Sequence, residues 1–319
     1  MRNEQLFQVE ERFKGKPFIK WVGGKSQLLP EIEQAISKMA VSNQEFTYIE
    51  PFVGGGAVLF WILNKFSNIK KAVINDINPD LTQAYETVRD NVYELIEVLE
   101  KIQAEYINLK SEELKKNFFL SVREEFNQKN LEKIRNTALF IFLNRTCFNG
   151  LYRVNSKGLF NVPFGKYSNP KICDRNTLLS DSYLLRKVEI LNGDFERTFE
   201  FTNKSTLFYF DPPYKPISVT SSFTSYSKES FDDNEQVRLK KFCDKISIKG
   251  CAFILSNSDP RSAEPENCFF DNLYSNYEIN RVFASRMINS NAEKRGKLTE
   301  LLITNYNHEK SMQLNRCAG

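Results

Sequence analysis

The sequence predicts an α/β protein: a Rossmann-type parallel sheet carrying a mostly helical insertion. Three observations lead there. Short apolar runs that end in acids or turns, among them Thr47–Phe52, Ala72–Asp76, Val188–Leu191 and Leu207–Phe210, read as buried strands. The stretch from Thr47 to Asp76 reads as strand, glycine turn, helix, strand and acid, one half of a Rossmann unit. From Leu81 to Leu143 the apolar spacing becomes helical and breaks the alternation, as a domain grown between sheet elements does.

The chain has 319 residues, enough to bury a sizeable core in one large domain or two modest ones. Its 41% hydrophobic and 26% charged residues are those of a soluble globular protein. With no charged-then-apolar leader and no bilayer-length apolar run, a cytoplasmic location and no membrane partner are expected. Six cysteines are scattered without a CxxC pair, so free thiols are expected rather than zinc or disulfides. His308 is the only histidine, which argues against a histidine base or a histidine-held metal. The net charge of +4 matters less than its distribution.

Residues 1–16 read as a polar arm. Pro17–Ser26 joins a short apolar stretch to Gly23, Gly24 and Lys25, with Ser26 as a possible N-cap. A helix follows with Leu28, Leu29, Ile32, Ile36 and Met39 on one face. Such a Gly-Gly-Lys loop is either an ordinary connection or a cradle of backbone N–H groups for an anionic ligand. It lacks the Walker spacing. Val53–Ala57 is glycine-rich, and Val58–Phe66 is helical in pattern. Glycines there let a ligand approach the backbone, and Asp76 can take ribose hydroxyls; a plain packing turn is the alternative, and the dinucleotide spacing is absent. Leu81, Tyr85, Val88, Val92, Leu95, Leu99 and Ile102 mark one long amphipathic helix, with others near Phe118–Phe126 and Ile134–Leu143.

Arg145–Cys173 contains Arg145, Arg153, Lys157, Lys166 and Lys171 but no acid. Phe148, Tyr152, Phe160, Phe164 and Tyr167 interleave with them, and Asn and Gly residues make the block a β-hairpin or extended loop. Basic groups neutralise phosphates, Asn and Arg read base edges, and aromatics wedge or stack, so nucleic acid is favoured over a merely solvated surface.

A helix over Asn176–Lys187 leads into Val188–Leu191, then Asp194 and Phe195, an acid and an aromatic suited to an adenine or simply a strand-end turn. Leu207–Phe210 stops at Asp211-Pro212-Pro213-Tyr214, because two prolines cannot donate ladder hydrogen bonds. That sets a carboxylate and a ring beyond a strand's carboxyl end, where open α/β sheets build sites. Pro216–Ser230 reads as a loop over that end, Asn234–Ile246 as a helix, and Cys251–Ser256 as a strand. Pro260–Asn267 reads as a loop, and Tyr277–Phe283 with Leu298–Asn305 as a closing strand pair joined by a basic loop over Ser285–Lys297.

These pieces, in this order, resemble the Dam-type (D12 class) DNA adenine-N6 methyltransferases, including methylases of restriction-modification systems. The matching segments are KWVGGK (20–25), EPFVGGGAV (50–58), INDIN (74–78), FNGLYRVNSKGLFNVPFGKY (148–167), GDF (193–195), FDPPY (210–214), FTSY (223–226) and LSNS (255–258). The resemblance runs from about Lys20 to Tyr306. It implies a Rossmann-like class I methyltransferase domain over 1–79 and 188–319. Residues 80–187 would form the target-recognition domain, with its basic hairpin at 145–173.

It also implies S-adenosyl-L-methionine as cofactor. Trp21, Gly23, Gly24 and Lys25 match the segment around its methionine portion, Phe52, Gly54 and Gly56 the glycine loop, Asp76 the ribose acid, and Asp194 with Phe195 the adenine contact. Asp211, Pro212, Pro213 and Tyr214 match the catalytic motif, Asp211 also bordering the cofactor. Arg145, Phe148, Asn149, Leu151, Arg153, Lys157, Pro163 and Lys166 lie at or near positions used on double-stranded DNA. The implied reaction is methylation of adenine N6 by base flipping, with GATC as the expected site. A cytosine-N4 or RNA amino-methyltransferase and a catalytically inactive DNA-binding homologue are the alternatives. A cognate restriction endonuclease would share the site without touching the chain. The host would be a prokaryotic or phage-infected cell.

Overall fold

The computed structural model describes residues 14–25, 27–36, 44–214, 231–284 and 298–306. The expectations for Ser26, Met39, the loops at 216–230 and 285–297, FTSY and His308 lie outside the described residues, as does the arm over 1–13.

Seven strands form one sheet: β1 (Phe46–Glu50), β2 (Ile69–Asp76), β3 (Val188–Asn192), β4 (Thr206–Phe210), β5 (Ala252–Ser258), β6 (Glu278–Ala284) and β7 (Leu298–Thr304). Their order is β3-β2-β1-β4-β5-β7-β6. The first five run parallel; β7 inserts antiparallel between β5 and β6. Every expected strand is present.

Burial explains why apolar runs rather than alternating ones make the central strands. All five residues of β1 and of β4 are buried, because helices cover both faces. Side chains still alternate between two cores. Tyr48, Ile74, Leu207, Tyr209 and Ile254 join one cluster. Ile49, Val73, Phe208, Phe210 and Leu255 join the other. Helix α1 (Leu29–Ala35) follows the Gly-Gly-Lys loop, and α2 (Ala57–Lys65) follows the glycine turn.

The helical stretch after β2 differs from expectation at one point. The single helix read over Leu81–Ile102 is two, α3 (Pro79–Asp90) and α4 (Val92–Asn108). Asn91, at φ −132° and ψ 38°, leaves the helical region between them. The apolar stripe continues across the break, since Val88, Val92 and Leu95 are all buried, so periodicity carries no sign of it. Helices α5 (Glu112–Asn127), α6 (Lys133–Thr146) and α7 (Arg175–Leu185) complete the insertion. Between α6 and α7 the basic block is an extended loop, with antiparallel bridges Cys147–Phe164 and Val154–Phe160 but no full strands. Helix α8 (Asp233–Ile248) covers the second core, and α9 (Phe269–Leu273) is a short helix unforeseen in the sequence. Cys147, Cys173, Cys243 and Cys251 are buried free thiols.

Candidate active site

The parallel strands bring their carboxyl ends, Glu50, Asp76, Asn192, Phe210 and Ser258, to one edge of the sheet. Asp211 leaves β4 there. Lys25 pairs with it, Nζ to Oδ1 at 3.0 Å, and also donates to the Gly23 carbonyl at 2.7 Å. The same ammonium lies 4.3 Å from the centre of the Tyr214 ring. Lys25 is only 6% exposed, whereas the Asp211 side chain keeps 20% exposure, so the pair is enclosed at its ammonium and open at its carboxylate. Ser256 Oγ, on β5, donates to Asp211 at 3.2 Å. Burial raises the Asp211 carboxyl above its ordinary range; Lys25 and Ser256 pull it back, and Glu300 pushes it further up. Tyr214 donates its hydroxyl to Glu300 Oε2 at 2.8 Å. Glu300 reaches the site because β7 sets it opposite Ser258.

One strand over, β1 runs into the glycine turn. Gly54 and Gly56 take positive φ of 49° and 75°, which Cβ-bearing residues adopt only with strain. A Cβ on Gly56 would stand 2.5 Å from the Tyr85 hydroxyl, which itself donates to the Gly54 carbonyl. Asp76 accepts from Gly54 N at 3.1 Å and from Asn78 N at 2.9 Å. Burial raises its carboxyl while those N–H groups oppose the rise. Trp21 leans on Gly54 and Gly55, so close that a Cβ on either would strike it. Gly24 lies near the Trp21 carbonyl. Phe52, Phe195 and Phe231 form an aromatic corner, with centroids 5.4 to 6.3 Å apart. Asp194 borders it and accepts from both terminal nitrogens of Arg238, at 3.0 and 2.6 Å. That pairing holds Asp194 below the usual carboxylate range. The Arg238 guanidinium also sits 4.2 Å from the Phe195 ring centre.

The basic block divides into a packed inner part and an open tip. Phe160 packs on Phe126 and Tyr152, and Phe164 on Phe119. Asn127 exchanges two hydrogen bonds with the Phe160 backbone. At the tip Asn155 accepts from the N–H groups of Lys157 and Leu159, and Gly158 at φ 76° has open space around it. Lys157, Phe148, Asn149 and Pro163 are exposed, and Leu151 is partly so. Asn149 is held at φ 54°. Arg153 bonds Asn161 across the hairpin, and Lys166 pairs with Glu112 at 3.0 Å. Arg145 points inward: it donates to the Phe18 carbonyl at 2.6 Å, and burial lowers its pKa.

Tyr152 ties this block to Trp21 and to the turn after β2. It stacks on Trp21 at 5.8 Å, and its hydroxyl donates to Asp80 at 2.8 Å. Lys129 donates to the same oxygen at 2.9 Å. Asp80 stands four residues after Asp76, in the first turn of α3.

Sequence reasoning missed Glu300, Arg238, Phe231 and the linking role of Tyr152. Only Tyr152 carried a signal, as an aromatic amid the basic block. Ser256 lay within the LSNS segment without a role. Among the described residues no cluster of three or more His, Cys, Asp or Glu could hold a metal, and no helix is long and apolar enough to cross a membrane.

A mostly parallel sheet with a glycine turn after β1, an acid after β2 and Asp-Pro-Pro-Tyr after β4 is a Rossmann-like methyltransferase fold. Within that class the chain belongs to the D12 class N6 adenine-specific DNA methyltransferases, whose family model matches residues 21–288. It is 48% identical to the type II methyltransferase M.MjaIII of Methanocaldococcus jannaschii, over 91% of this chain and 99% of that one. It is 38% identical to the type II methyltransferase M1.LlaDCHI of Lactococcus lactis subsp. cremoris, over 91% and 95%. A DNA adenine methylase of Haemophilus influenzae is 34% identical over 92% and 95%.

Proposed function

We propose that this chain methylates N6 of adenine in double-stranded DNA, with S-adenosyl-L-methionine as methyl donor. One observation carries the reading: Asp211-Pro-Pro-Tyr214 stands at the end of β4, and the Gly54–Asp76 cradle stands at the ends of the neighbouring β1 and β2. The donor set suits an adenosine ligand. Asp76 offers a carboxylate to vicinal hydroxyls, Phe52 and Phe195 offer ring faces to a purine, and Asp194 offers an acceptor to its amino group. Gly23, Gly24, Lys25 and Trp21 would border the amino-acid portion. Bound there, the cofactor supplies a methyl group already activated on a sulfonium.

The chain's own work is then positioning and electrostatics. Adenine N6 is a poor nucleophile, because its lone pair is delocalised into the ring. The Asp211 carboxylate and the Pro212 carbonyl, both accepting from the amino hydrogens, favour a pyramidal nitrogen with its lone pair free. The amino group is out of reach inside a duplex, so the base must be flipped, and Tyr214 offers a ring for it to stack on. The hairpin tip supplies the DNA-facing groups, Lys157 to phosphate and Phe148 and Asn149 toward the bases. Residues 80–187 would form the recognition domain and the rest the catalytic one, with GATC as the site.

Two assays test this. Tritiated-methyl transfer to DNA should label adenine, and Asp211→Ala should abolish labelling while retaining the fold by circular dichroism. Label on cytosine or on RNA, or tight DNA binding without transfer, would reject the reading. Host DNA should resist enzymes that cut only unmethylated GATC and yield to those that cut only methylated GATC; failure of both removes GATC alone.

A further inference from the structure

Lys25 makes two contacts that the proposed target base needs. Its ammonium donates to Asp211 Oδ1 at 3.0 Å, and it lies 4.3 Å from the centre of the Tyr214 ring. A flipped adenine would donate its amino group to that carboxylate and lay its ring on that tyrosine. Ammonium and base would compete for the same carboxylate and the same ring, so base capture calls for Lys25 to move aside.

Its departure has a cost that fixes where it goes. Asp211 is partly buried, its carboxyl already raised by desolvation, and a carboxylate so placed is disfavoured when stripped of its partner. Lys25 is more deeply enclosed, with the Gly23 carbonyl as its other acceptor. A new anion beside the Gly23–Gly24 turn would let the ammonium swing without losing all compensation. Gly23 sits at φ 82°, and among the described residues the one atom within 4 Å of a Cβ placed there is Lys25 Nζ itself, at 3.9 Å, so the turn leaves the side chain room.

We infer that Lys25 is a positioning residue that holds the place of the target adenine and vacates it for the carboxylate of the cofactor's amino-acid portion, so that the cofactor primes base capture. The inference rests on the proposed function and adds an order to it. With Lys25 on Asp211 the pocket is closed to the base; with Lys25 on the ligand carboxylate, Asp211 and Tyr214 are free to receive it. Glu300 keeps the Tyr214 ring in place in both states through its 2.8 Å hydrogen bond.

The test uses a duplex bearing 2-aminopurine in place of the target adenine, within a sequence the enzyme has been shown to methylate. Fluorescence of that base reports its leaving the stack. Two ligands are compared at concentrations that saturate the protein by calorimetry: S-adenosylhomocysteine, which has the carboxylate, and 5′-methylthioadenosine, which lacks the amino-acid portion. In the unmodified protein the duplex should be captured about tenfold more tightly with the first than with the second, within the usual range of site-to-site coupling. In Lys25→Met the two ligands should give the same capture. Equal capture with both ligands in the unmodified protein overturns the inference without any variant, as does a Lys25→Met protein that keeps the tenfold preference. Failure of the proposed function looks different, because methyl transfer to DNA adenine would then be absent from the start.

Discussion

Asp211 works against its own burial, which gives its chemistry a direction with pH. In the proposed reaction only the carboxylate would accept from the adenine amino group, and burial with the opposing pulls of Lys25 and Ser256 leaves the carboxyl raised. The rate of single-turnover methylation should therefore fall with acidity at a pH above the ordinary carboxylate range. Glu300 is a like charge that pushes Asp211 up, so Glu300→Gln should move this acid limb to lower pH; an unmoved limb would contradict the assignment. Glu300→Ala should also release the Tyr214 hydroxyl and weaken transition-state stabilisation by about 10–100-fold, the usual worth of a hydrogen bond to a charged group. Glu50 shows the stability side of the same physics. It is buried at the end of β1, accepts from Tyr48 at 2.7 Å, and is raised by burial. A raised acid contributes full stability below its unfolded pKa and loses it as pH rises through the folded one. Glu50→Gln should thus be more stable than the parent at pH 8 by urea unfolding, with the gap closing as pH falls toward 4.

At the level of elements, the turn after β2 joins site and scaffold. Asn78 accepts from Asp80 N and Leu81 N and caps α3 directly behind Asp76. Asn78→Ala should cost about 1 kcal/mol in urea unfolding, the ordinary loss for an N-cap. At the hairpin, Lys157→Ala should weaken DNA binding across sequences and reduce the salt-dependence slope by about 1. How legible these elements were depended on where their information lies. Strand β4 and its terminating Asp-Pro-Pro-Tyr could be read because apolar run and proline stop are adjacent in sequence. The break at Asn91 could not, because the buried stripe runs through it unchanged. Glu300 could not either. Its place beside Tyr214, 86 residues away, exists only through the antiparallel register of β7 on β5. Arg145 was legible as a base but not in direction, since its inward turn depends on Phe18, 127 residues earlier.

Across the whole molecule, aromatic packing fixes the catalytic edge from behind. Phe242 on α8 meets Phe195, Phe199, Phe208 and Phe210, touching both the aromatic corner and β4. Phe242→Ala should cost about 3–5 kcal/mol of stability by denaturant titration, as loss of a buried phenylalanine does. The uneven packing of the basic hairpin bears on how such a protein can be retargeted. Its inner half is committed to the scaffold: Phe160 and Phe164 are anchored on α5, and Tyr152 shares Asp80 with Lys129 and stacks on Trp21. Its outer turn, Asn155 to Gly158, is tied mainly to itself. Under the proposed function, new sequence preferences would be grafted onto the tip as an exchangeable cartridge, whereas the same exchange carried inward past Tyr152 would rebuild the chemistry along with the reading head.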